Sequence, residues 1–141
     1  MLGNPMASQV LDQQQIDDLI ERAVSARQNA YAPYSKFKVG AAVLTTDETV
    51  FSGCNVENAS YGLCICAERT AICSCVAAGE KEIVAVAVAA VPLAMPCGAC
   101  RQFIHEFGKD ITVICVDAND PKQRSVRSIE SLIPDCFSFD S

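Results

Sequence analysis

Residues 82–91 read EIVAVAVAAV, and this stretch constrains the fold of the chain more than any other. It is apolar after its first residue and rich in valine, which is typical of a central strand covered on both faces. Pro92 interrupts the longer run IVAVAVAAVPLAM, which therefore falls short of the roughly 18 to 20 uninterrupted apolar residues of a membrane span. We expect a buried strand followed by its exit loop.

Helical and strand patterns alternate around this stretch. The predicted elements are a first helix capped by Asp12 and stopped by Pro33, strands in FKVGAAVLTT and TVFSGCNVEN, a helix from about Cys66 to Ala78 ending at Gly79, a helix in CGACRQFIHEFG, a strand in ITVICVD and a last helix in VRSIESLIP. We expect an α/β fold, a three-layer α/β/α sandwich with a mixed, about five-stranded sheet. Residues 1–10 are predicted to be a flexible tail, and residues 11–141 a single domain.

Charge and cysteine content narrow the function. The net charge of -6 leaves no basic surface for neutralising phosphates, so we expect a small-molecule substrate and neither a nucleic acid nor a membrane as partner. The start of the chain shows no export signal, which predicts a cytoplasmic protein. In that compartment nine cysteines indicate metal binding or reduced thiols rather than disulfides.

The cysteines at 66, 97 and 100 have the spacing of a metal site. The helix after Cys66 and the strand before Cys97 each span on the order of 20 Å, so the chain returns to the sheet edge that it left. Cys97 and Cys100 then lie on the first turn of a helix, where the dipole favours anionic sulfur. A catalytic zinc has three protein ligands and an open position, toward which Glu68 can point.

Other interpretations of the cysteines remain open on spacing alone. Cys64 could be a fourth ligand of a closed structural zinc site, or the thiols could be reduced core residues. The remaining cysteines, at positions 54, 73, 75, 115 and 136, are predicted to be small packing residues. His105 is predicted to lie at a surface or an interface, since it comes too late on its helix to face the metal.

Four blocks in order, YAPYSKFKVGAAV, GCNVENASYG, CAERTA and PCGACRQ, together resemble the small, homotetrameric cytidine deaminases. The family is a case of the zinc deaminase signature, in which a cysteine can replace the first histidine. The resemblance implies hydrolytic deamination of cytidine and 2′-deoxycytidine to uridine and 2′-deoxyuridine, with release of ammonia. It assigns one zinc per subunit to Cys66, Cys97 and Cys100, and the proton transfers to Glu68.

The resemblance also implies how the nucleoside is held. Phe37 packs on the base, Asn55 and Glu57 bond the ribose hydroxyls, and the backbone of Ala67 reads the base edge. Asn55 and Glu57 alternate along a predicted strand and would share one face. Met95 stands where many relatives have a small hydroxyl residue, which predicts an altered cavity rim.

Two further roles concern charge and neighbouring subunits. Three thiolates on Zn²⁺ leave a net negative charge, which Arg69 is predicted to offset by donating to ligand sulfurs. In tetrameric relatives an aromatic residue near the C-terminus enters a neighbour's site, which points to Phe137, with Phe139 as the alternative, and Tyr61 is expected to contribute across an interface. The competing functions are a blasticidin-like deaminase of another aminopyrimidine nucleoside and a non-enzymatic zinc-stabilised binding module.

Overall fold

Alternating helices and strands build the chain, whose computed structural model describes residues 11–139. The strands are β1 (Gly40–Thr45), β2 (Val50–Cys54), β3 (Ile83–Ala90), β4 (Thr112–Asp117) and β5 (Asp120–Ser128). The helices are α1 (Gln13–Arg27), α2 (Ala67–Ala77), α3 (Gly98–His105) and α4 (Ile129–Leu132), with a 3₁₀ turn at Tyr61–Leu63. No helix in the described part of the chain has the length and apolar character needed to cross a membrane.

The sheet is mixed and has the strand order β2-β1-β3-β4-β5. β1 pairs antiparallel with both β2 and β3, β3 pairs parallel with β4, and β5 closes the far edge antiparallel to β4. Every residue of β3 is buried, as the continuous apolar run predicted. The alanines at 85, 87 and 89 pack toward α1, whereas Val86 and Val88 belong to the core formed with α2, α3 and α4. Helices therefore cover both faces, and the predicted three-layer architecture is confirmed.

Two glycines allow helices to lie unusually close to the sheet. A Cβ placed on Gly40 would stand 2.0 Å from the carbonyl oxygen of Ala23 in α1. A Cβ on Gly53 would stand 2.4 Å from the backbone nitrogen of Ala71 in α2. Because real Cβ atoms do not come this close to other backbone atoms, any larger residue at Gly53 must displace the helix that carries Cys66 and Glu68.

The predicted start of the first helix and the predicted end of the second are confirmed, whereas α1 ends at Arg27, before the predicted stop at Pro33. Asp12 caps α1 with its side chain, and Gln15 completes the capping box by accepting from the Asp12 N–H. Gly79 follows α2 with φ +94°, the left-handed conformation expected of a C-terminal glycine. Residues 1–10, predicted to be a tail, lie outside the described residues, and the single-domain assignment of 11–141 stays a prediction.

The prediction for the end of the chain was wrong in one respect. Residues 126–128, expected to begin the last helix, belong to β5, and α4 is a single turn from Ile129 to Leu132. β5 is a mostly exposed edge strand, so its polar sequence DPKQRSVRS carries little of the apolar alternation that reveals a strand. The sheet has five strands, as predicted, but the sequence patterns did not locate β5.

Candidate active site

The three predicted metal ligands meet at the N-termini of two helices. Cys66 is the N-cap of α2 and Cys97 the N-cap of α3, while Cys100 lies in the first turn of α3. Their sulfur atoms all lie within 4.8 Å of one another, and those of Cys66 and Cys97 are 3.8 Å apart. Zn–S bonds of about 2.3 Å in a tetrahedron place sulfurs about 3.8 Å apart. The chemistry and spacing of these donors therefore fit zinc.

Hydrogen bonds among the thiols and Arg69 favour negative charge on Cys66. The pKa of Cys66 is lowered to about 5, first because the Cys100 thiol donates to its sulfur and then because Arg69 does, while burial opposes the shift. The pKa of Cys100 is raised, because it donates that hydrogen bond and is buried. Binding of zinc requires the remaining protons to leave, so metal affinity rises with pH.

Arg69 lies beside the ligand thiols, where its predicted role requires it. Its Nη2 donates to the sulfur of Cys66 over 3.5 Å, and contact with the Cys66 and Cys100 sulfurs raises its own pKa. Its Nε is buried and has no hydrogen-bond partner among residues 11–139. A guanidinium with an unused buried donor fits a thiolate site that carries excess negative charge.

Glu68 is buried beside the thiols, in the first turn of α2. Only 4% of the residue is exposed, and burial raises the pKa of its carboxyl group, with the Cys66 charge adding to the shift. Arg69 and hydrogen bonding act in the opposite direction. A carboxyl group whose pKa is moved toward neutrality can both accept and return a proton, which is the requirement for general acid–base catalysis.

No fourth protein ligand joins the group in the described part of the chain. Cys64, the alternative ligand for a closed site, instead bonds to the backbone of Asn58: its sulfur accepts from the N–H over 3.3 Å and donates to the carbonyl over 3.7 Å. His105, at the end of α3, is also outside the group, as predicted. The geometry therefore favours an open site over a closed one.

The other cysteines differ in burial: two are buried, two are half-buried and one is exposed. Cys75 and Cys115 are buried, and burial raises the pKa of both, to about 12 for Cys115, so their prediction as packing residues is confirmed. Cys54 and Cys136 are half-buried. Cys73 was predicted to pack inside but is exposed, because it lies on the side of α2 that faces away from the sheet.

A cavity of about 300 Å³ opens beside Cys66, Glu68 and Cys97. This volume lies at the lower end of the range found for small-molecule sites. Its lining residues are Phe37, Val39, Asn55, Glu57, Cys64, Ile65, Cys66, Ala67, Glu68, Val88, Ala94, Met95 and Cys97. The cavity thus brings together the predicted ligands Cys66 and Cys97, the predicted acid–base residue and four of the predicted substrate contacts, with Met95 at the wall.

Asn55 and Glu57 are tied to the loop that carries Phe37. Asn55 accepts from the Val39 N–H over 2.9 Å and donates to the Phe37 carbonyl over 2.8 Å. Both residues follow β2 instead of alternating within it, since β2 ends at Cys54, so the predicted strand was too long. They nevertheless line the same cavity.

Ser35, which was not predicted from the sequence, is a hydrogen-bond partner of Glu57. Glu57 accepts hydrogen bonds from the Ser35 hydroxyl, from the Ser35 N–H over 3.1 Å and from the Tyr34 N–H over 3.0 Å. The Ser35 hydroxyl is the main cause of the lowered pKa of Glu57. The signal available in the sequence was a serine in the loop before Phe37, a residue type that commonly bonds to nearby acceptors.

Tyr61 and Phe137 lie outside the cavity of their own chain. Tyr61 is 75% exposed and meets Tyr34 edge-on, beside a side pocket that shares Glu57 and Cys64 with the main cavity. Phe137 is 68% exposed and contacts Phe139, which is 95% exposed. The structure therefore does not bring either predicted cross-subunit residue to the metal group of the same chain, and their reach into a neighbouring site stays a prediction.

Three zinc-binding thiols with a buried carboxyl group beside them are typical of zinc-dependent enzymes, because a structural zinc site does not require a residue such as Glu68. The family model described as "Cytidine and deoxycytidylate deaminase zinc-binding region" matches residues 13–116. A probable cytidine deaminase of Dictyostelium discoideum is 44% identical over 131 residues, covering 91% of this chain and 87% of the relative. The cytidine deaminase of Halalkalibacterium halodurans is 53% identical over 94 residues, covering 63% and 69%.

Solved structures agree with the sequence relatives. The crystal structure of cytidine deaminase from Burkholderia pseudomallei superposes with a TM-score of 0.81 at 48% identity, covering 90% of this chain and 100% of that one. The Mycobacterium tuberculosis enzyme superposes with a TM-score of 0.76 at 38% identity, covering 88% and 98%. This chain belongs to the cytidine and deoxycytidylate deaminase family.

Proposed function

We propose that this chain catalyses the hydrolytic deamination of cytidine and 2′-deoxycytidine to uridine and 2′-deoxyuridine, with release of ammonia. The observation that carries the proposal is the buried Glu68 carboxyl group, which lies beside three convergent thiols and lines a cavity of about 300 Å³. A binding module stabilised by zinc would not need a carboxyl group with a raised pKa at that position.

Glu68 moves the protons of the reaction. Zinc held by Cys66, Cys97 and Cys100 supplies a Lewis acid that lowers the pKa of water. In the overall reaction water adds to C4 of the pyrimidine and the amino group leaves as ammonia. Glu68 accepts a proton from the attacking water and delivers it to N3; it then accepts the proton of the hydroxyl group formed at C4 and delivers it to the departing amino group, ending in the state in which it began.

The cavity residues orient the nucleoside. We assign the base to the ring of Phe37 and to the backbone of Ala67, which is fully buried next to Glu68. Asn55 and Glu57 are assigned to the ribose hydroxyls. Their existing bonds to the loop at 34–39 hold both side chains in place, and a carboxylate can accept further hydrogen bonds beyond the three that Glu57 already receives.

Arg69 is assigned to charge compensation. Its bond to Cys66 draws electron density from that sulfur, so a zinc ion held there would keep more of its Lewis acidity despite three thiolates. Arg69 lies on the same helix turn as Glu68, but its side chain does not line the cavity. Its role is therefore exerted through the ligand and not on the substrate.

A homotetramer with shared active sites is part of the proposal. Large apolar side chains are exposed near the cavity mouth, namely Tyr31, Tyr34, Val56, Tyr61, Leu63 and Ile65, each between 40% and 75% exposed. Such a group is larger than single scattered apolar residues and marks an interaction surface. A cytoplasmic location is also proposed, since zinc-binding thiols must remain reduced.

The function is tested by following cytidine absorbance and ammonia release with zinc-loaded protein. We expect conversion of cytidine and 2′-deoxycytidine, and a kcat/KM for free cytosine at least about 100-fold lower because the ribose contacts are missing. Protein stripped of zinc should be inactive and should recover when zinc is restored. Failure to convert either nucleoside with one zinc bound per chain would refute the proposal.

A further inference from the structure

Arg101 follows the last metal ligand directly and joins two distant parts of the backbone. Its Nε donates to the carbonyl of Pro96 over 2.8 Å, and its Nη1 donates to the carbonyl of Leu132 over 2.9 Å. The side chain is half-buried. It therefore connects the loop before α3 to the end of α4, while remaining on the helix that carries Cys100.

The Pro96 carbonyl immediately precedes the ligand Cys97. Pro96 is buried and has no N–H, so its carbonyl is the only hydrogen-bonding group of its backbone. A buried carbonyl requires a partner, which Arg101 provides. The backbone N–H of Arg101 also donates to the Cys97 carbonyl over 3.0 Å. Arg101 thus bonds to both the Pro96 carbonyl and the Cys97 carbonyl, the two backbone carbonyls that flank the Cys97 nitrogen and α-carbon.

Cys97 is the ligand most in need of such support. Cys100 is fully buried and Cys66 half-buried, whereas Cys97 is exposed and comes at the end of a loop, 91–97, without regular secondary structure. Packing can hold the two other thiols, but little packs around Cys97. Its position depends on the hydrogen bonds of its backbone.

We propose that Arg101 is a positioning residue of the metal centre. By fixing the Pro96 carbonyl, Arg101 holds the Cys97 thiol in place beside the thiols of Cys66 and Cys100. The bond to Leu132 orients the guanidinium for this task. Arg101 differs in this from Arg69, which touches a ligand sulfur. The inference rests on the zinc site of the proposed function, but not on the identity of the substrate.

Gln102 allows this role to be separated from simple attachment of the C-terminal segment. Its Nε2 donates to the Phe137 carbonyl over 3.1 Å, and its Oε1 accepts from the Cys136 thiol over 3.3 Å. Arg101 and Gln102 therefore both attach residues 132–137 to α3, but only Arg101 reaches Pro96. A variant of Gln102 loosens the C-terminal segment while leaving the ligand loop fixed.

Arg124 provides a matched control. Its Nε donates to the Pro121 carbonyl over 2.9 Å and its Nη1 to Asp17 over 3.1 Å. It thus makes the same kind of arginine-to-proline-carbonyl bond as Arg101, but on β5, away from the ligand loop.

The experiment measures the rate at which zinc leaves each protein for an excess of a chromogenic chelator. We expect Arg101→Gln to release zinc about tenfold faster or more, the usual effect of removing a group that orients a ligand. Gln102→Met and Arg124→Gln should release it at the wild-type rate. Co²⁺-loaded Arg101→Gln should also show altered d–d and thiolate charge-transfer bands, which loss of stability elsewhere would not produce.

Wild-type release from Arg101→Gln, or equal acceleration in Gln102→Met, would overturn the inference. If Arg101→Gln does not fold, Arg101→Lys serves instead: its single ammonium cannot reproduce both bonds of the guanidinium, so faster release is still expected and a wild-type rate overturns the inference. Since no nucleoside is involved, a zinc-binding wild type that fails to deaminate cytidine would refute the proposed function without changing this result.

Discussion

Replacement of Gly53 by alanine should damage both the stability and the active site, because α2 lies against this glycine. The added Cβ would lie 2.4 Å from the Ala71 nitrogen and 2.9 Å from its Cα and from the Thr70 carbonyl carbon. The shortest contact falls about 1 Å below ordinary van der Waals separation, and all three atoms are backbone. The clash cannot be relieved by a side-chain rotation, so α2 must move by a comparable distance.

The expected cost follows from that displacement. Overpacking of a tight core costs about 1–3 kcal/mol, and we expect about 2–3 kcal/mol here because a whole helix has to retreat. α2 carries Cys66 at its N-cap and Glu68 in its first turn. A catalytic group misplaced by about 1 Å can lose about 100-fold in rate, so kcat for cytidine should fall well beyond the effect of partial unfolding.

Urea unfolding and steady-state kinetics at equal protein and zinc concentrations measure the two effects. Gly62→Ala is the matched control, because a Cβ at Gly62 meets nothing within 4 Å. It should change stability by less than about 0.5 kcal/mol. If Gly53→Ala is as stable and as active as Gly62→Ala, the close approach of α2 to β2 does not exist as described.

Three further predictions concern single side chains. Arg69→Gln should keep the fold but lower kcat or zinc retention about 10–100-fold, and full activity at full metal loading would contradict its role. The pKa of Glu57 is lowered below 4.5 in the folded chain, so its ionised form stabilises the fold above that pH. The difference in unfolding free energy between wild type and Glu57→Gln, measured in urea, should therefore shrink as the pH falls through the lowered pKa. A difference that does not depend on pH would contradict this. If Phe137 enters a neighbour's site, Phe137→Ala should raise the KM for cytidine while Phe139→Ala leaves it near the wild-type value, and the reverse result would assign the role to Phe139.

Much of the fold could be predicted because apolar patterns in this chain match burial. β3 is apolar at every position and is buried at every position, and α1 shows both its cap and its apolar side in the sequence. β5 could not be located in this way. Its residues are mostly exposed, and what defines it is the backbone pairing to β4, which leaves no hydrophobic period in the sequence.

The metal ligands were predictable because their chemistry is local and distinctive. Predicting that the three thiols meet requires only that the two helix starts be located correctly. The sequence places these starts at Cys66 and Cys97, which are the N-caps of α2 and α3. Ser35 and Arg101 were missed because their partners Glu57 and Leu132 are adjacent in space but 22 and 31 residues away along the chain. Serine and arginine are also common residue types that mark no particular role. The exposure of Cys73 was also missed, since helical periodicity in a short, alanine-rich helix separates its faces weakly.

The central claim is that Glu68 moves the protons, and zinc-loaded Glu68→Gln tests it most directly. The account predicts that this variant retains one zinc per chain and still binds cytidine, but releases ammonia at least about 100-fold more slowly than wild type, since general acid–base catalysis contributes about 10²–10⁴-fold. A variant that holds zinc and deaminates cytidine at a rate close to wild type would contradict the account.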